Sequence, residues 1–420
     1  MTSEIKADKW SPASGTSATI GDSGDTYTIP SGVTFTNNGT ANGFGITAAN
    51  FRPNANPLII NGNMAVAQRG TSFTGVSSGP NFTADRFQFY LANLGTYTLI
   101  QEALTSGNAY DAGFKTAWRI DTTTADASPS AADYAILRYK FEGQDLQSIK
   151  KGTSNAEKLT LAFWVKSNKA TTGSIDLFDY DNSRIVGATY TVNTANTWEK
   201  KIINIAADTT GAFANDNGLS LGIEWFLDTG STYSGGTTPT AWEAQTNANR
   251  NVSNFALGDN TANDWAITGV QLEVGEYTSS TIPPFQHESY GDNLIRCQRY
   301  YEKSFEQGTT PTAGTSAPDG RVFASWDGAS ARTQIDFNTT KRASPTVTIY
   351  RGANAGSGTA TGTANFIMEL GGGGSANWYN HTCTSNHADD SQVSLTGSTS
   401  NFVANGGYVA DLNFTADSEL

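Results

Sequence analysis

The chain runs to 420 residues with 43 glycines and only 15% Asp, Glu, Lys and Arg, a length that predicts more than one hydrophobic core and a composition poor in helix formers. Its formal charge of −13 at pH 7 argues against nucleic acid and anionic membranes as partners, and 37% hydrophobic with 11% aromatic residues argues against a disordered chain. Two cysteines without CxxC spacing, Cys297 and Cys383, support neither a disulfide framework nor a zinc knuckle, and with no secretory leader and no apolar run of ~18 residues, membrane insertion is not expected.

Residues 18–50 alternate short β-prone pieces, Ala18–Ile20, Tyr27–Ile29 and Val33–Thr36, with Gly-containing turns. Too few large apolar side chains are present there to close a monomeric core. The segment is therefore expected to stack on copies of itself or on a partner protein.

From Asn56 to about Tyr290 the pattern changes to period-two strands. Leu159, Leu161, Phe163 and Val165 share one face of KLTLAFWVK, and Leu219, Leu221, Ile223, Trp225 and Leu227 share one face of LSLGIEWFLD, so each strand has one buried side. Trp225 is expected in the core, and Trp164 on the opposite face. Further strands are expected in YAILRYKF (134–141), SIDLF (174–178), TWEKKIINI (197–205) and DWAITGVQLEV (264–274). Many short strands separated by turn-rich stretches predict a β-sandwich.

One helix is expected in ESYGDNLIRCQRYYEKS, where Leu294, Cys297 and Tyr301 follow helical spacing and Asp292 sits near the start. It should separate two domains. A Gly/Thr/Pro linker follows, and then RVFASW, TQIDF, PTVTIY, ANFIMEL and GYVADLNFTA read as strands of a smaller β domain.

Several phrases carry a resemblance: NPLIINGNMAVAQRGTSF (56–73), TADRF (83–87), LAFWVKSN (161–168), TWEKKIINI, ITGVQLEVG (267–275) and PFQHESYGDNLIRCQRYYEK (284–303). Together they resemble tail-fibre and receptor-binding proteins of tailed bacteriophages. The opening MTSEIKADKW with GDSGDTYTIPSGVTFTNNGTANGFG is similar to the amino-terminal segment of fibre-like proteins from phages of marine bacteria. RASPTVTIY (342–350) and the closing FTADSEL are similar to fibre carboxy-terminal domains.

The resemblance implies a homotrimer anchored to a virion tail or adaptor protein, with a jelly-roll middle domain like a carbohydrate-binding module and a distal end that meets a host-surface glycan. The expected fold is then all-β. A core-poor anchor spans 1–50, a jelly-roll-like sandwich 51–290, a connecting helix 291–305, and a second, smaller β-sandwich for receptor recognition 306–420. The localisation it implies is the virion.

Glycan binding needs flat rings beside amides and carboxylates, because sugars present apolar C–H faces rimmed by hydroxyls. Trp378 and Tyr379, in GGGGSANWYNHT, and Tyr233 and Trp242, in STYSGGTTPTAWEAQ, are the loop aromatics that fit. The alternative is that they plug a subunit interface or anchor long loops. Asp176, Asp179 and Asp181 are weak candidates for calcium, since no EF-hand pattern surrounds them; a solvated turn is the plainer reading. His381, Cys383 and His387 offer three soft ligands at spacings foreign to structural zinc sites. No cofactor is expected.

Hydrolysis of a polysaccharide would need two carboxylates across one glycosidic bond, a pairing that spacing alone does not reveal: Glu224 and Asp228 lie in or beside a strand, and Glu288 and Asp292 precede or open the helix. The letters of a Gly-x-Ser-x-Gly elbow occur at Gly75–Gly79, followed by a Gly-Pro-Asn turn rather than a helix. The expected function is a non-enzymatic attachment fibre. The rival readings are a capsid or tail-shaft decoration protein and a polysaccharide depolymerase.

Overall fold

The computed structural model describes residues 56–312, 320–325, 330–351, 367–370, 378–379, 382–398 and 407–420; the expected anchor, 1–50, lies outside the described residues. Residues 48–420 form one compact unit. Its first part contains strands β1 (Ser72–Val76), β2 (Gly79–Asn81), β3 (Phe87–Ala92), β4 (Thr96–Ala103), β5 (Thr116–Thr124), β6 (Tyr134–Glu142) and β7 (Leu159–Ser167). These are followed by β8 (Thr172–Asp179), β9 (Arg184–Thr191), β10 (Glu199–Ile205), β11 (Leu219–Thr229), β12 (Glu243–Ala244) and β13 (Asp264–Val274).

They form two antiparallel sheets, one ordered β1-β4-β5-β13-β7-β10 and the other β12-β9-β8-β11-β6-β3-β2. Successive side chains of a strand point to opposite faces, so the alternation in β7 and β11 sends Leu161, Phe163, Val165, Leu221, Ile223, Trp225 and Leu227 into the shared core. Trp225 is fully buried there. Trp164 lies on the other face of its sheet, half-buried in a satellite cluster with Phe114 and Trp198. In β13 the register shifts between Thr268 and Gln271. Gly269 sits in that bulge at φ 61°, and a Cβ on it would fall 2.6 Å from the Phe114 ring, so the bulge requires glycine.

A short helix, α1 (Asn108–Asp111), precedes β5, and the expected helix is α2 (Tyr290–Gln298). Ser289 caps α2 by accepting from the Asp292 N–H at 3.2 Å. Tyr301, expected on this helix, is instead the first residue of β14 (Tyr301–Lys303). The helix stops because strand pairing takes over, with Tyr301 opposite Asp417.

The second part holds β15 (Gly320–Ser325), β16 (Ser330–Asp336), β17 (Thr346–Arg351), β18 (Ile367–Leu370), β19 (Trp378–Tyr379), β20 (Thr382–Ala388), β21 (Gln392–Ser398) and β22 (Gly407–Asp417). The long β22 organises it. Its first half pairs with β15 and β18, its second half with β14 and β17. Ile335, Phe337, Ile349, Val393, Leu395, Leu412 and Phe414 close a second, smaller core.

Charged contacts join the two sandwiches. Arg299 holds Glu142 through two bonds of 2.8 and 2.7 Å, and Lys140 Nζ donates to the Leu420 carbonyl at 2.7 Å. Within the second part Lys341, fully buried, donates to Glu302 at 2.5 Å, and it ties that part to α2 by donating to the Gln298 carbonyl. The junction is thus a packed interface rather than a free linker.

Candidate functional site

A cleft of about 370 Å3 opens where the two sandwiches meet, lined by Arg69, Phe73, Pro80, Asn81, Phe82, Tyr301, Thr310, Pro311, Tyr350 and Asp417. Junctions of this kind are preferred ligand sites. Arg69 comes from the stretch entering β1, Phe73 is in β1, Phe82 follows β2, Tyr301 opens β14, Tyr350 is in β17 and Asp417 ends β22. Gly70, at φ 135°, makes the convergence feasible. A Cβ there would meet Thr310 Oγ1 at 2.6 Å and the Phe73 ring at 3.1 Å.

The Arg69 guanidinium lies 3.6 Å from the Tyr301 ring centroid and 4.5 Å from that of Phe82, so two aromatic faces hold it. Its Nη2 pairs with Asp417 Oδ2 at 3.1 Å and its Nη1 faces Glu419 Oε1 at 3.6 Å. Burial pulls the Arg69 pKa down, but Glu419, Asp417 and Asp85 outweigh it and the group is held above its ordinary value. The guanidinium is a permanent part of the wall. The Asp417 side chain is 42% exposed at the mouth, while Tyr350 is braced edge-on by Phe305 at 5.2 Å. Rings, one exposed carboxylate and side-chain amide and hydroxyl groups thus face one space, the combination that sugar recognition demands.

Behind the cleft, buried Asp85 accepts from the Gln68 N–H at 2.9 Å and from Gln68 Nε2 at 2.6 Å. Burial raises its pKa to about 6 against the pull of Arg69. A raised carboxyl contributes stability that is full below its unfolded value, ~3.9, and lost as pH rises through the folded value. The melting temperature is therefore expected to fall between pH 4.5 and pH 7.5, and Asp85→Asn should flatten that slope. A flat profile in the parent protein would refute the assignment.

The sequence-nominated residues are distributed differently. Tyr233 joins the outer face of the seven-stranded sheet, edge-on to Tyr134 at 5.7 Å; Tyr134 stacks on Tyr90 at 5.3 Å. Trp242 anchors its loop, donating from Nε1 to the Ala206 carbonyl at 2.8 Å and packing against the main core. The two rings have different neighbours. Trp378 and Tyr379 form β19, opposite Met368 and Ile367, with side chains outside the described residues. His381 also lies outside them, as do the side chains of Cys383 and His387 in β20.

The three acidic residues weighed for calcium do not converge. Asp176 pairs with Arg250 at 2.7 Å, Asp179 with Lys151 at 2.5 Å, and Asp181 accepts from the Ala214 N–H at 2.9 Å. Each carboxylate found a different local partner, so they make no common cage. Gly75–Gly79 runs from the end of β1 into β2, and the Gly-Pro-Asn stretch expected as a turn is β2 itself, with no helix after the serine.

A second depression, about 400 Å3, is lined by Leu146, Gln147, Lys150, Lys151, Thr153, Asn155, Ala212 and Phe213. It offers one ring, and its inner ammonium, Lys151, is saturated by Asp179, Asp208 and the Thr210 and Gly211 carbonyls. The junction cleft is the better equipped. None of its residues was nominated from sequence, yet the resemblance phrases contain five of them: Arg69 and Phe73 in the first, Tyr301 in QRYYEK, Tyr350 in PTVTIY and Asp417 in FTADSEL.

No protein-family model matches the sequence, and no curated protein matches it. Solved structures that match in part include the enzymatically active domain of bacteriophage CBA120 tailspike protein 4, at 13% identity over 52% of this chain and 21% of that one, with a TM-score of 0.25. A putative sugar binding protein from Bacteroides thetaiotaomicron matches at 12% identity over 52% of this chain and 100% of its own, TM-score 0.26. TmCBM61 in complex with β-1,4-galactotriose matches at 8% identity over 52% of this chain and 99% of its own, TM-score 0.24.

Proposed function

We propose that this chain is a non-catalytic adhesin, the attachment fibre of a bacterial virus, and that it holds a host-surface glycan in the cleft between its two sandwiches. The observation that carries the binding reading is the convergence of Phe73, Phe82, Tyr301 and Tyr350 around the Arg69–Asp417 pair. The virion reading rests on the phrases that resemble phage fibres. Binding is favoured over hydrolysis because Asp417 is the single carboxylate among the described cleft-lining residues, where glycoside hydrolysis ordinarily employs two. An assay for new reducing ends after incubation with host surface glycan distinguishes the two readings. Oligosaccharide release would make the protein a depolymerase.

The cleft rings stack on sugar faces in this reading. Replacing Phe73 and Tyr350 together with alanine is expected to weaken adsorption to host cells about 10- to 100-fold, on the scale of ~1 kcal/mol per lost aromatic contact. Unchanged adsorption by a folded double variant would place recognition elsewhere, with Trp378 and Tyr379 next to be replaced.

A trimer would triplicate weak contacts and raise avidity by about 10² to 10⁴ through effective concentration. Sedimentation of the full chain should give three times the chain mass, and removal of residues 1–50 should release the protein from particles. A monomer in solution would overturn the fibre assignment.

A further inference from the structure

Resting on the carbohydrate reading above, we infer that the junction cleft selects uncharged sugars and rejects acidic ones, with Asp417 as the group that discriminates. Arg69 is the cation among the described lining residues, and Asp417 and Glu419 oppose its edge while the Phe82 and Tyr301 rings take its faces. Only 12% of its side chain is exposed. Asp85, buried behind it, adds a third carboxyl to the same neighbourhood. Among the described lining residues no second cation stands at this wall to meet a ligand carboxylate.

The charged group that reaches solvent at the mouth is Asp417. Its Oδ2 meets Arg69 and its Oδ1 accepts from the Glu419 N–H at 3.0 Å, which holds the carboxylate in place. An ionised carboxylate is an acceptor only, with about four lone-pair positions. Two are used by the protein, so the rest can receive hydrogens from sugar hydroxyls, and such charge-assisted bonds are stronger than neutral ones. A uronic or sialic acid bears instead a second acceptor-only anion. It would lie beside Asp417 against like charge, and bonds to the ligand would be replaced by repulsion. The remaining lining groups, Pro80, Asn81, Thr310 and Pro311, are uncharged and suit a polyol.

The test is a printed array carrying neutral glycans together with glycans that bear uronic or sialic acid, probed with the full-length protein, with Tyr350→Ala and with Asp417→Asn. The expected result is binding to a neutral glycan that falls at least tenfold in Tyr350→Ala, and at least tenfold weaker binding to its acid-bearing counterpart at low salt. In Asp417→Asn the neutral ligand should weaken and the neutral-to-acid gap should narrow, while Glu419 keeps Arg69 paired so that the fold survives. Acidic glycans bound as tightly as neutral ones, at a site still sensitive to Tyr350→Ala, would overturn the selectivity and leave the carbohydrate reading standing. Binding to no glycan on the array would overturn both.

Discussion

Replacing Arg250 with alanine is expected to cost about 3–5 kcal/mol of folding stability, the scale measured when one partner of a buried ion pair is removed. Arg250 lies in the segment between β12 and β13 and reaches across the outer face of the seven-stranded sheet. Its Nε donates to Asp176 Oδ2 at 2.7 Å, and its Nη2 donates to Glu224. Those two carboxylates sit directly opposite each other on β8 and β11, and both are buried, Asp176 at 0% and Glu224 at 1% exposure. Without the guanidinium, two like charges face each other out of water.

Glu224 would keep Arg138 at 3.0 Å and the Tyr180 hydroxyl at 2.9 Å. Asp176 would keep no cation. Burial pushes the Asp176 carboxyl up, and neighbouring Glu224 adds to that push against Arg250, whereas Arg250 and Arg138 hold Glu224 below its ordinary value despite burial. The two carboxyls are thus pushed apart, Asp176 up and Glu224 down. A raised carboxyl favours the folded state below its unfolded pKa and loses that advantage as pH climbs, so Arg250→Ala should be less damaging at pH 5 than at pH 8. Denaturant titration at both values measures this. Arg250→Lys should recover only part of the loss, since a point charge cannot bridge two carboxylates in a fork. A loss under about 1 kcal/mol for the alanine variant would contradict the account.

The second large effect is expected at Glu419. Arg86 is buried at 3% exposure, with its guanidinium 3.3 Å from the Tyr300 ring centroid and bonded to the Lys140 carbonyl at 2.7 Å. Glu419 is the carboxylate that contacts it. Glu419→Ala strands that charge and removes one of the two carboxylates opposing Arg69, so a loss of about 3–5 kcal/mol is again expected. Glu419→Gln should cost less, because it retains an acceptor. The damage should reach function too. Glu419 directly follows Ser418, whose N–H donates to the Tyr300 carbonyl at 2.8 Å and whose Oγ donates to the Arg299 carbonyl at 3.0 Å. Loosening this end frees Asp417 at the cleft mouth. Faster hydrogen exchange in β14 together with weaker glycan binding is the expected outcome, and full stability with intact binding would refute it.

The strands were legible because their code is local. A side-chain period of two is set by immediate neighbours, so the segment from Asp264 to Val274 could be read as a strand to the residue, and the inward face of Trp225 and outward face of Trp164 followed from parity alone. The start of α2 was legible to within one residue, 291 against the observed Tyr290, but its cap is Ser289, where the sequence pointed to Asp292. Where a distant partner competes, local reading failed: Tyr301 continues the helical spacing, yet pairing with Asp417 draws it into β14.

By itself, the sequence determined that this chain is all-β, which faces of β7 and β11 are buried, and where the chain turns. The tertiary structure alone decided the cleft. Arg69 and Asp417 are 348 positions apart, and no periodicity links them. They meet because the register of β14 on β22 places Tyr301 beside Asp417, and because Gly70 lets the Thr310 segment close in. Packing between distant elements is selected by the whole fold's free energy, whereas alternation along one strand is written within two residues.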